Sequence, residues 1–188
     1  SLSALFASST PYEEALFVAA GVPYDFTPTF RGGTRHAPAS IREVSRYMEC
    51  LSLRWSLSCD DLALCDLGDL LVFREPSAMT AVCSRVFPHV VRDGKVGVAL
   101  GGEHTITWFI ARSLSKPLGV LVFDAHLDMK SEFHGNPYSH ATHLRRLVEE
   151  GGVKVAVVGA RGYEREELEF AEREGCLIVT MWDPVSYT

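Results

Sequence analysis

Apolar runs alternate with amphipathic segments along almost all of the 188 residues. Runs of β-branched and aromatic residues are typical of buried strands, whereas apolar residues that recur every three or four positions are typical of helices. The pattern predicts strands over residues 15–20, 61–65, 96–100, 118–123, 153–158 and 176–181. It predicts helices over residues 39–49, 77–91, 105–114, 140–150 and 164–174. This alternation predicts βαβ units, and therefore an α/β fold with a doubly wound, mainly parallel sheet that carries helices on both faces.

Composition narrows the class of protein. The chain has the length of one domain and shows no linker or repeat, so we expect a single domain over residues 1–188. Its net charge of −6 and its lack of a basic block argue against a nucleic-acid partner. The sequence shows neither a signal peptide nor an apolar stretch of membrane-spanning length, so we expect a cytoplasmic protein without a membrane partner. The five cysteines form no Cys-x-x-Cys pair, which favours reduced thiols in apolar packing over disulfides.

The most informative segment is Asp124-Ala125-His126-Leu127-Asp128, directly after the predicted strand 118–123. In an extended backbone, Asp124, His126 and Asp128 point to the same side. Two carboxylates and an imidazole crowded at the end of a buried strand repel and desolvate one another unless a cation lies between them. Carboxylate and imidazole ligands together suit manganese, iron or zinc, so the segment predicts a divalent metal site. The alternative is that the aspartates only cap a helix or hydrogen-bond within the loop.

Two further segments are predicted near this site. Gly101-Gly102-Glu103-His104 follows the predicted strand 96–100, and its paired glycines permit tight backbone geometry. Because ligands of open α/β sheets bind at the carboxyl ends of the strands, we expect His104 to be a further metal ligand, the alternative being a packing role at the helix start. The irregular segment 130–139 contains Asn136, which we predict to contact substrate, since loops held over a rigid sheet often do so.

Other polar residues receive structural interpretations. Asp66 and Asp69 are expected to fix a loop after the second strand, because no histidine accompanies them. The predicted helix 164–174 carries Glu and Arg at neighbouring spacings, which indicates a solvated face. Four histidines without a second partner at metal-ligand spacing are interpreted as surface or capping residues: His36, His89, His134 and His143.

Several motifs, taken in order along the chain, resemble those of the ureohydrolase family, the arginases and agmatinases. Gly21-Val22-Pro23-Tyr24-Asp25, Arg31-Gly32-Gly33-Thr34-Arg35 and Pro38-Ala39-Ser40-Ile41-Arg42 resemble the amino-terminal signature of that family. Asp66-Leu67-Gly68-Asp69 resembles its second-strand loop, and segments 101–104 and 123–128 resemble its first two metal motifs. Tyr138-Ser139-His140-Ala141-Thr142 resembles its substrate loop. The resemblance covers nearly the whole chain.

The resemblance implies an arginase-like three-layer α/β/α fold and a hydrolase with two Mn²⁺ ions per active site. It implies that His104 and Asp128 ligate one manganese, that His126 ligates the other, and that Asp124 bridges the pair. His140 is implied as the proton-transfer residue beside the guanidinium group, and with Asn136 it forms the predicted substrate contact. The implied reaction is attack of metal-bound hydroxide on a small guanidino compound, which gives urea and an amine. A homo-oligomer, a trimer or a hexamer, is also implied.

Substrate choice is partly readable from the same resemblance. Arginases resemble one another in having an asparagine at the position where this chain has Lys130. The loop around His140 is similar to that of agmatinases, so agmatine is the favoured substrate. Lys130 could instead hold an acidic substrate end, which keeps guanidinobutyrase and formiminoglutamase activity open beside arginase activity. Two other classes stay open: a non-catalytic assembly or regulatory protein, and a two-metal hydrolase of phosphate esters.

The family pattern also contains a third metal motif, Asp-x-Asp-x-x-Asp-Pro. Asp183-Pro184 matches only its end, and we interpret this pair as an ordinary turn. We therefore expect the sequence to correspond to the first two-thirds of a ureohydrolase. The absence of the first two aspartates of this motif favours the non-catalytic alternative.

Overall fold

Strands and helices alternate throughout residues 4–180, the part of the chain that this computed structural model describes. The strands are β1 (Phe17–Val22), β2 (Leu64–Asp69), β3 (Val96–Gly101), β4 (Gly119–Phe123), β5 (Lys154–Ala160) and β6 (Leu177–Thr180). The helices are α1 (Ala37–Ser45), α2 (Pro76–Cys83), α3 (Phe87–Arg92), α4 (Ile106–Ser113), α5 (His143–Gly151) and α6 (Arg165–Arg173). Short 3₁₀ turns cover Leu5–Ala7, Tyr12–Glu14, Thr34–His36 and Cys59–Asp61. These six strands pair in parallel, which confirms the predicted α/β fold.

The chain forms two compact units, Ser1–Ile106 and Thr107–Thr188, each with its own three-stranded sheet. The single domain expected from the sequence stays a prediction. The end of the predicted sixth strand and the Asp183-Pro184 pair lie outside the described residues. Within residues 4–180 no helix has the length and apolar character of a membrane span.

In the first unit the strand order is β2-β1-β3. The central strand β1 is buried from Val18 to Val22 because both of its edges are paired and both of its faces are covered. Ala19 packs with Leu64 on one side of the sheet, and Val18 packs with Val90 of α3 on the other.

In the second unit the strand order is β4-β5-β6. Val155 and Val157 of the central strand β5 are buried. Helices α5 and α6 bury one apolar stripe each, which includes Leu144 and Leu147 on α5 and Phe170 on α6.

Most predicted element ends differ from the observed ones by a few residues, and two differences change the interpretation. The predicted helix 77–91 is two helices, α2 and α3, because Pro88 has no backbone N–H and its ring disfavours a continuous helix through the preceding turn. Asp66 and Asp69 lie on strand β2 and not on a loop after it, since the strand runs from Leu64 to Asp69.

Arg42 forms a buried ion cluster with Asp66 and Asp69. Arg42 of α1 donates to both carboxylate oxygens of Asp66, over 2.7 and 2.9 Å, and also to Asp69. The side chain of Asp66 is 1% exposed, and its carboxylate also accepts the backbone N–H groups of Leu5 and Gly68. Burial alone would raise the pKa of Asp66, but the hydrogen bonds from Arg42 and from these N–H groups lower it. The aspartates therefore anchor α1 to β2.

Asp25 connects two other motifs of the amino-terminal signature, residues 21–25 and 31–35. Its buried carboxylate accepts the N–H of Gly33 at 2.6 Å, the hydroxyl of Thr34 at 2.8 Å and the guanidinium of Arg35 at 2.8 Å. The four residues tie two separate sequence motifs into one loop structure. These motifs are therefore scaffold of the first unit.

Candidate functional site

The polar segment after β4 begins with a turn that joins Asp124 to His126. The Asp124 carboxylate accepts the backbone N–H of His126 at 2.9 Å and lies 3.4 Å from Nδ1 of the His126 ring. The ring packs against Gly162, where a Cβ atom would come within 3.2 Å of the His126 ring carbon Cδ2. The turn thus places a carboxylate and an imidazole side by side at the carboxyl end of β4.

Asp128 does not continue an extended backbone, contrary to the alternation assumed from the sequence. Strand β4 ends at Phe123, and Asp128 has a φ angle of 50°, in the left-handed region. Asp128 is buried, whereas the His126 side chain is 67% exposed. Helix α5 fixes the Asp128 backbone, because the N–H of Leu144 donates to the Asp128 carbonyl at 3.2 Å.

His143 is a residue of this region that the sequence interpretation missed. It is fully buried, its Nδ1 lies 2.7 Å from the carbonyl oxygen of His140, and the same nitrogen lies 3.7 Å from the Asp128 carboxylate. Because a carbonyl only accepts, Nδ1 carries the proton in this bond. Spacing along the chain could not identify His143 as a neighbour of Asp128, since a long loop separates the two residues in sequence.

The loop that presents His140 is held by hydroxyl groups. The N–H of Ser139 donates to the Thr142 hydroxyl at 2.8 Å, and that hydroxyl lies 2.8 Å from the carbonyl of Pro137. Phe133 meets the half-buried His140 ring edge to face, with 5.3 Å between the ring centres. His140 is therefore presented by a fixed backbone and one aromatic neighbour.

Asn136, the predicted substrate contact, shapes the same loop. Its backbone pairs with Phe133 through two hydrogen bonds of 2.9 and 3.0 Å, and its side-chain oxygen accepts the N–H of Tyr138 at 2.9 Å. The oxygen of the side chain is thus engaged within the loop. Contact between Asn136 and substrate stays a prediction.

Lys130 is paired inside the protein. Its ammonium group hydrogen-bonds to Glu164 and lies 3.8 Å from the carboxylate of Glu167. Burial alone would lower the pKa of Lys130, but the hydrogen bond with Glu164 and the charge of Glu167 raise it. Lys130 is therefore cationic and is paired with Glu164, the residue before α6, and with Glu167 on α6.

Glu167 is a second residue that the sequence interpretation missed, because the Glu and Arg residues of helix 164–174 were assigned to a solvated face. Glu167 is buried, accepts the N–H of Met129 at 3.0 Å, and accepts the N–H of Glu164 at 2.9 Å in a capping box that starts α6. The Glu-x-x-Glu spacing before an apolar stripe was the available signal. Glu167 thereby holds the backbone directly after Asp128.

Replacing Glu167 with alanine is expected to lower the free energy of unfolding by roughly 2–3 kcal/mol, since one helix cap and one buried N–H lose their acceptor. Urea denaturation measures this change. Glu169 is exposed on the same helix, so Glu169→Ala is the matched control and is expected to stay within about 0.5 kcal/mol of the wild type. Equal effects of the two substitutions would contradict the role of Glu167.

The segment Gly101–His104 is ordered within the first unit. A Cβ atom on Gly102 would lie 2.0 Å from the carbonyl oxygen of Tyr24, so only glycine fits there. The buried Glu103 accepts the N–H and hydroxyl of Thr27 and the hydroxyl of Thr105. Gly102 thus uses the tight backbone geometry that the paired glycines permit. The assignment of half-buried His104 as a metal ligand stays a prediction.

The donor chemistry of the second unit fits a divalent cation. Asp124 and His126 present oxygen and nitrogen donors side by side, and Asp128 adds a buried carboxylate. Buried carboxylates are found paired or on metals, and this mixture of donors suits manganese, iron or zinc. The residues present therefore fit the metal implied by the sequence resemblance.

Comparison with known proteins places these features in a family. The model of the arginase family matches residues 15–186. The N(1)-aminopropylagmatine ureohydrolase of Thermococcus kodakarensis is 36% identical over 162 residues, which are 85% of this chain and 56% of that protein. The agmatinase of Bacillus subtilis is 33% identical over 177 residues, 91% of this chain and 61% of that protein.

A solved structure of an agmatine ureohydrolase has a similar fold. The agmatine ureohydrolase of Thermoplasma volcanium superposes with a TM-score of 0.85 at 32% identity, and the match covers 96% of this chain and 62% of that one. This chain thus spans about 60% of the length of these relatives. Because the family model covers most of the sequence and the fold is shared, the chain belongs to the arginase family.

Proposed function

We propose that the protein is a manganese-dependent ureohydrolase that cleaves agmatine, or a closely similar decarboxylated guanidine, to urea and an amine. The observation that carries the proposal is the Asp124–His126–Asp128 donor set after β4, in a chain whose relatives include an agmatinase and an aminopropylagmatine ureohydrolase. We assign His104, Asp124, His126 and Asp128 as metal ligands, as the sequence motifs imply. A homo-oligomeric, cytoplasmic enzyme is part of the same expectation.

Hydrolysis of a guanidinium group needs a strong nucleophile, which bound metal ions would supply. A guanidinium group is delocalised and cationic, and is therefore a poor electrophile. Two manganese ions bound by these residues would supply Lewis acidity and lower the pKa of water enough to generate a nucleophile at neutral pH. The Asp124 carboxylate accepts the backbone N–H of His126 and fixes the turn, while Glu167 and Leu144 hold the backbone around Asp128.

His140 is the proposed proton carrier. The departing amine needs a proton, and an imidazole at the edge of the site is the common group for that transfer. The backbone carbonyl of His140 is held by His143 at 2.7 Å, and its ring is supported by Phe133. The residue is thus presented on a loop whose own contacts fix its position.

The paired state of Lys130 bears on the substrate. An acidic substrate end would have to compete with Glu164 and Glu167 for the ammonium group. This removes the argument for guanidinobutyrate or formiminoglutamate that rested on Lys130. A substrate with a neutral or cationic far end has no such requirement, which supports agmatine.

The test is urea release by the purified protein after loading with Mn²⁺, with Mg²⁺ or with no metal. We expect release from agmatine or N(1)-aminopropylagmatine with Mn²⁺ only, and at least roughly tenfold lower kcat/KM for arginine and 4-guanidinobutyrate. Absence of urea from all four compounds under Mn²⁺ would contradict the proposal. A preference for 4-guanidinobutyrate would contradict only the interpretation of Lys130, and not the assignment as a ureohydrolase.

A further inference from the structure

A hairpin in the first unit carries one cysteine at the end of each arm. Ser52 and Leu57 form an antiparallel bridge, in which the N–H of Ser52 donates to the Leu57 carbonyl at 2.9 Å. The N–H of Ser56 donates to the Ser52 carbonyl at 2.7 Å and closes the turn. Cys50 and Cys59 lie two residues beyond this bridge on the two arms, and Cys59 begins the 3₁₀ turn Cys59–Asp61.

The two thiols share one region of the surface. The Cys50 thiol donates to the carbonyl oxygen of Met48 at 3.4 Å. Both cysteines are half-buried and both line one surface cavity of about 290 Å³. Burial and the Cys50 thiol raise the pKa of Cys59 to about 11. A small reagent can therefore reach both thiols from the same cavity.

The remaining cysteines have different surroundings. Cys83 is fully buried in α2, and burial raises the pKa of its thiol to about 12, so it is inert towards thiol reagents. Cys65 lies half-buried on β2, and Cys176 lies half-buried directly before β6. Burial raises the pKa of both of these thiols.

The hairpin keeps the two cysteines within reach of a covalent bond. Residues paired across an antiparallel bridge, as Ser52 and Leu57 are, have Cα atoms about 4.5–5.5 Å apart, and each cysteine lies two residues beyond that bridge. Disulfides require Cα separations of about 4.4–6.8 Å. We propose that Cys50 and Cys59 form a thiol oxidation site, which reacts with a low-molecular-weight disulfide of the glutathione class to give an intramolecular disulfide. This proposal is independent of the hydrolase activity.

The reaction balances as two thiol–disulfide exchanges. The Cys50 thiolate attacks one sulfur of glutathione disulfide, a Cys50–glutathione bond forms, and the first glutathione leaves and takes up the proton that Cys50 lost. Cys59 then loses its proton and attacks the Cys50 sulfur, which releases the second glutathione. Two protein thiols are oxidised, one glutathione disulfide is reduced, and two glutathione molecules are produced.

The bond would close the hairpin on itself. Four apolar side chains between the two cysteines are exposed: Leu51, Leu53, Trp55 and Leu57. Oxidation thus fixes the conformation of an exposed apolar hairpin and leaves the buried core of the unit unchanged.

The experiment equilibrates the purified native protein with mixtures of glutathione and glutathione disulfide, blocks free thiols at acid pH, and digests with trypsin without reduction. We expect loss of two hydrogen atoms from the intact mass and one cross-link between tryptic peptides 47–54 and 55–74, which contain Cys50 and Cys59 respectively. The cross-linked form is expected to exceed the Cys50–glutathione adduct by roughly tenfold, since the second thiol is already in place.

Matched variants identify the partner, because peptide 55–74 also contains Cys65. Cys65→Ser should keep the cross-link, whereas Cys59→Ser should abolish it and leave one glutathione on Cys50. Persistence of the cross-link in Cys59→Ser, or its loss in a folded Cys65→Ser protein, would overturn the proposal. So would separate glutathione adducts on Cys50 and Cys59, or two thiols that stay free in pure glutathione disulfide.

Discussion

Substituting asparagine for Asp124 is expected to lower kcat/KM for the guanidino substrate by roughly a thousandfold, equivalent to about 4 kcal/mol of transition-state stabilisation. The side-chain oxygen of asparagine can still accept the N–H of His126, so the turn after β4 is preserved. The negative charge is lost, and with it most of the metal affinity of the site. Urea release and manganese stoichiometry of the same preparation measure the two effects.

Glu132 provides the control for this substitution, because it is exposed on the same loop. Glu132→Gln is expected to keep both activity and metal content, since no contact of the site depends on its charge. Thermal unfolding of the two metal-free variants should agree within a few degrees. The assignment of Asp124 as a ligand would be contradicted by an Asp124→Asn protein that unfolds like the wild type when metal-free and keeps activity within tenfold after loading with Mn²⁺.

Replacing Arg42 with methionine is expected to reduce the free energy of unfolding by about 3–5 kcal/mol, the range for removal of one partner of a buried ion pair. Methionine keeps an apolar stem of similar length, but Asp66 loses two hydrogen bonds and Asp69 loses one. The Arg42 side chain is 6% exposed, so water cannot replace these bonds without rearrangement. Urea denaturation at neutral pH measures the loss.

Arg46 lies one helical turn later and is exposed, which makes Arg46→Met the matched control. That variant is expected to differ from the wild type by less than about 0.5 kcal/mol. A difference of similar size in both variants would show that Arg42 acts through helix propensity or net charge and not through the two aspartates.

The pH dependence of the Arg42→Met effect follows from the lowered pKa of Asp66. A carboxyl with a lowered pKa in the folded state stabilises the fold above its unfolded pKa of about 3.9, and this contribution is lost as the pH falls through the folded pKa. Without Arg42, burial is expected to raise the pKa of Asp66, so the folded variant takes up a proton. The difference in stability between the two proteins is therefore expected to be largest at neutral pH and to shrink below about pH 4.

The sequence predicted the elements of the fold well because their signals are local. The β-branched runs around Val18, Val98 and Val157 indicated buried parallel strands, and the polar residues after Phe123 indicated a site at a strand end. Prediction failed where two local signals competed. Pro88 ended a helix that apolar periodicity would have continued, and β2 carried Asp66 and Asp69 because a buried arginine outweighed their preference for loops.

The sequence by itself determined the fold class, the family motifs and the types of ligand atom that the chain can offer. Only the tertiary structure decided that Asp128 adopts a left-handed conformation, that His143 lies 3.7 Å from it, and that Glu167 and Lys130 belong to the support of the site. These contacts join residues that lie 15 to 38 positions apart in the chain. Periodicity reports which face of an element is buried, but the partner of a buried charge depends on how loops and helices pack.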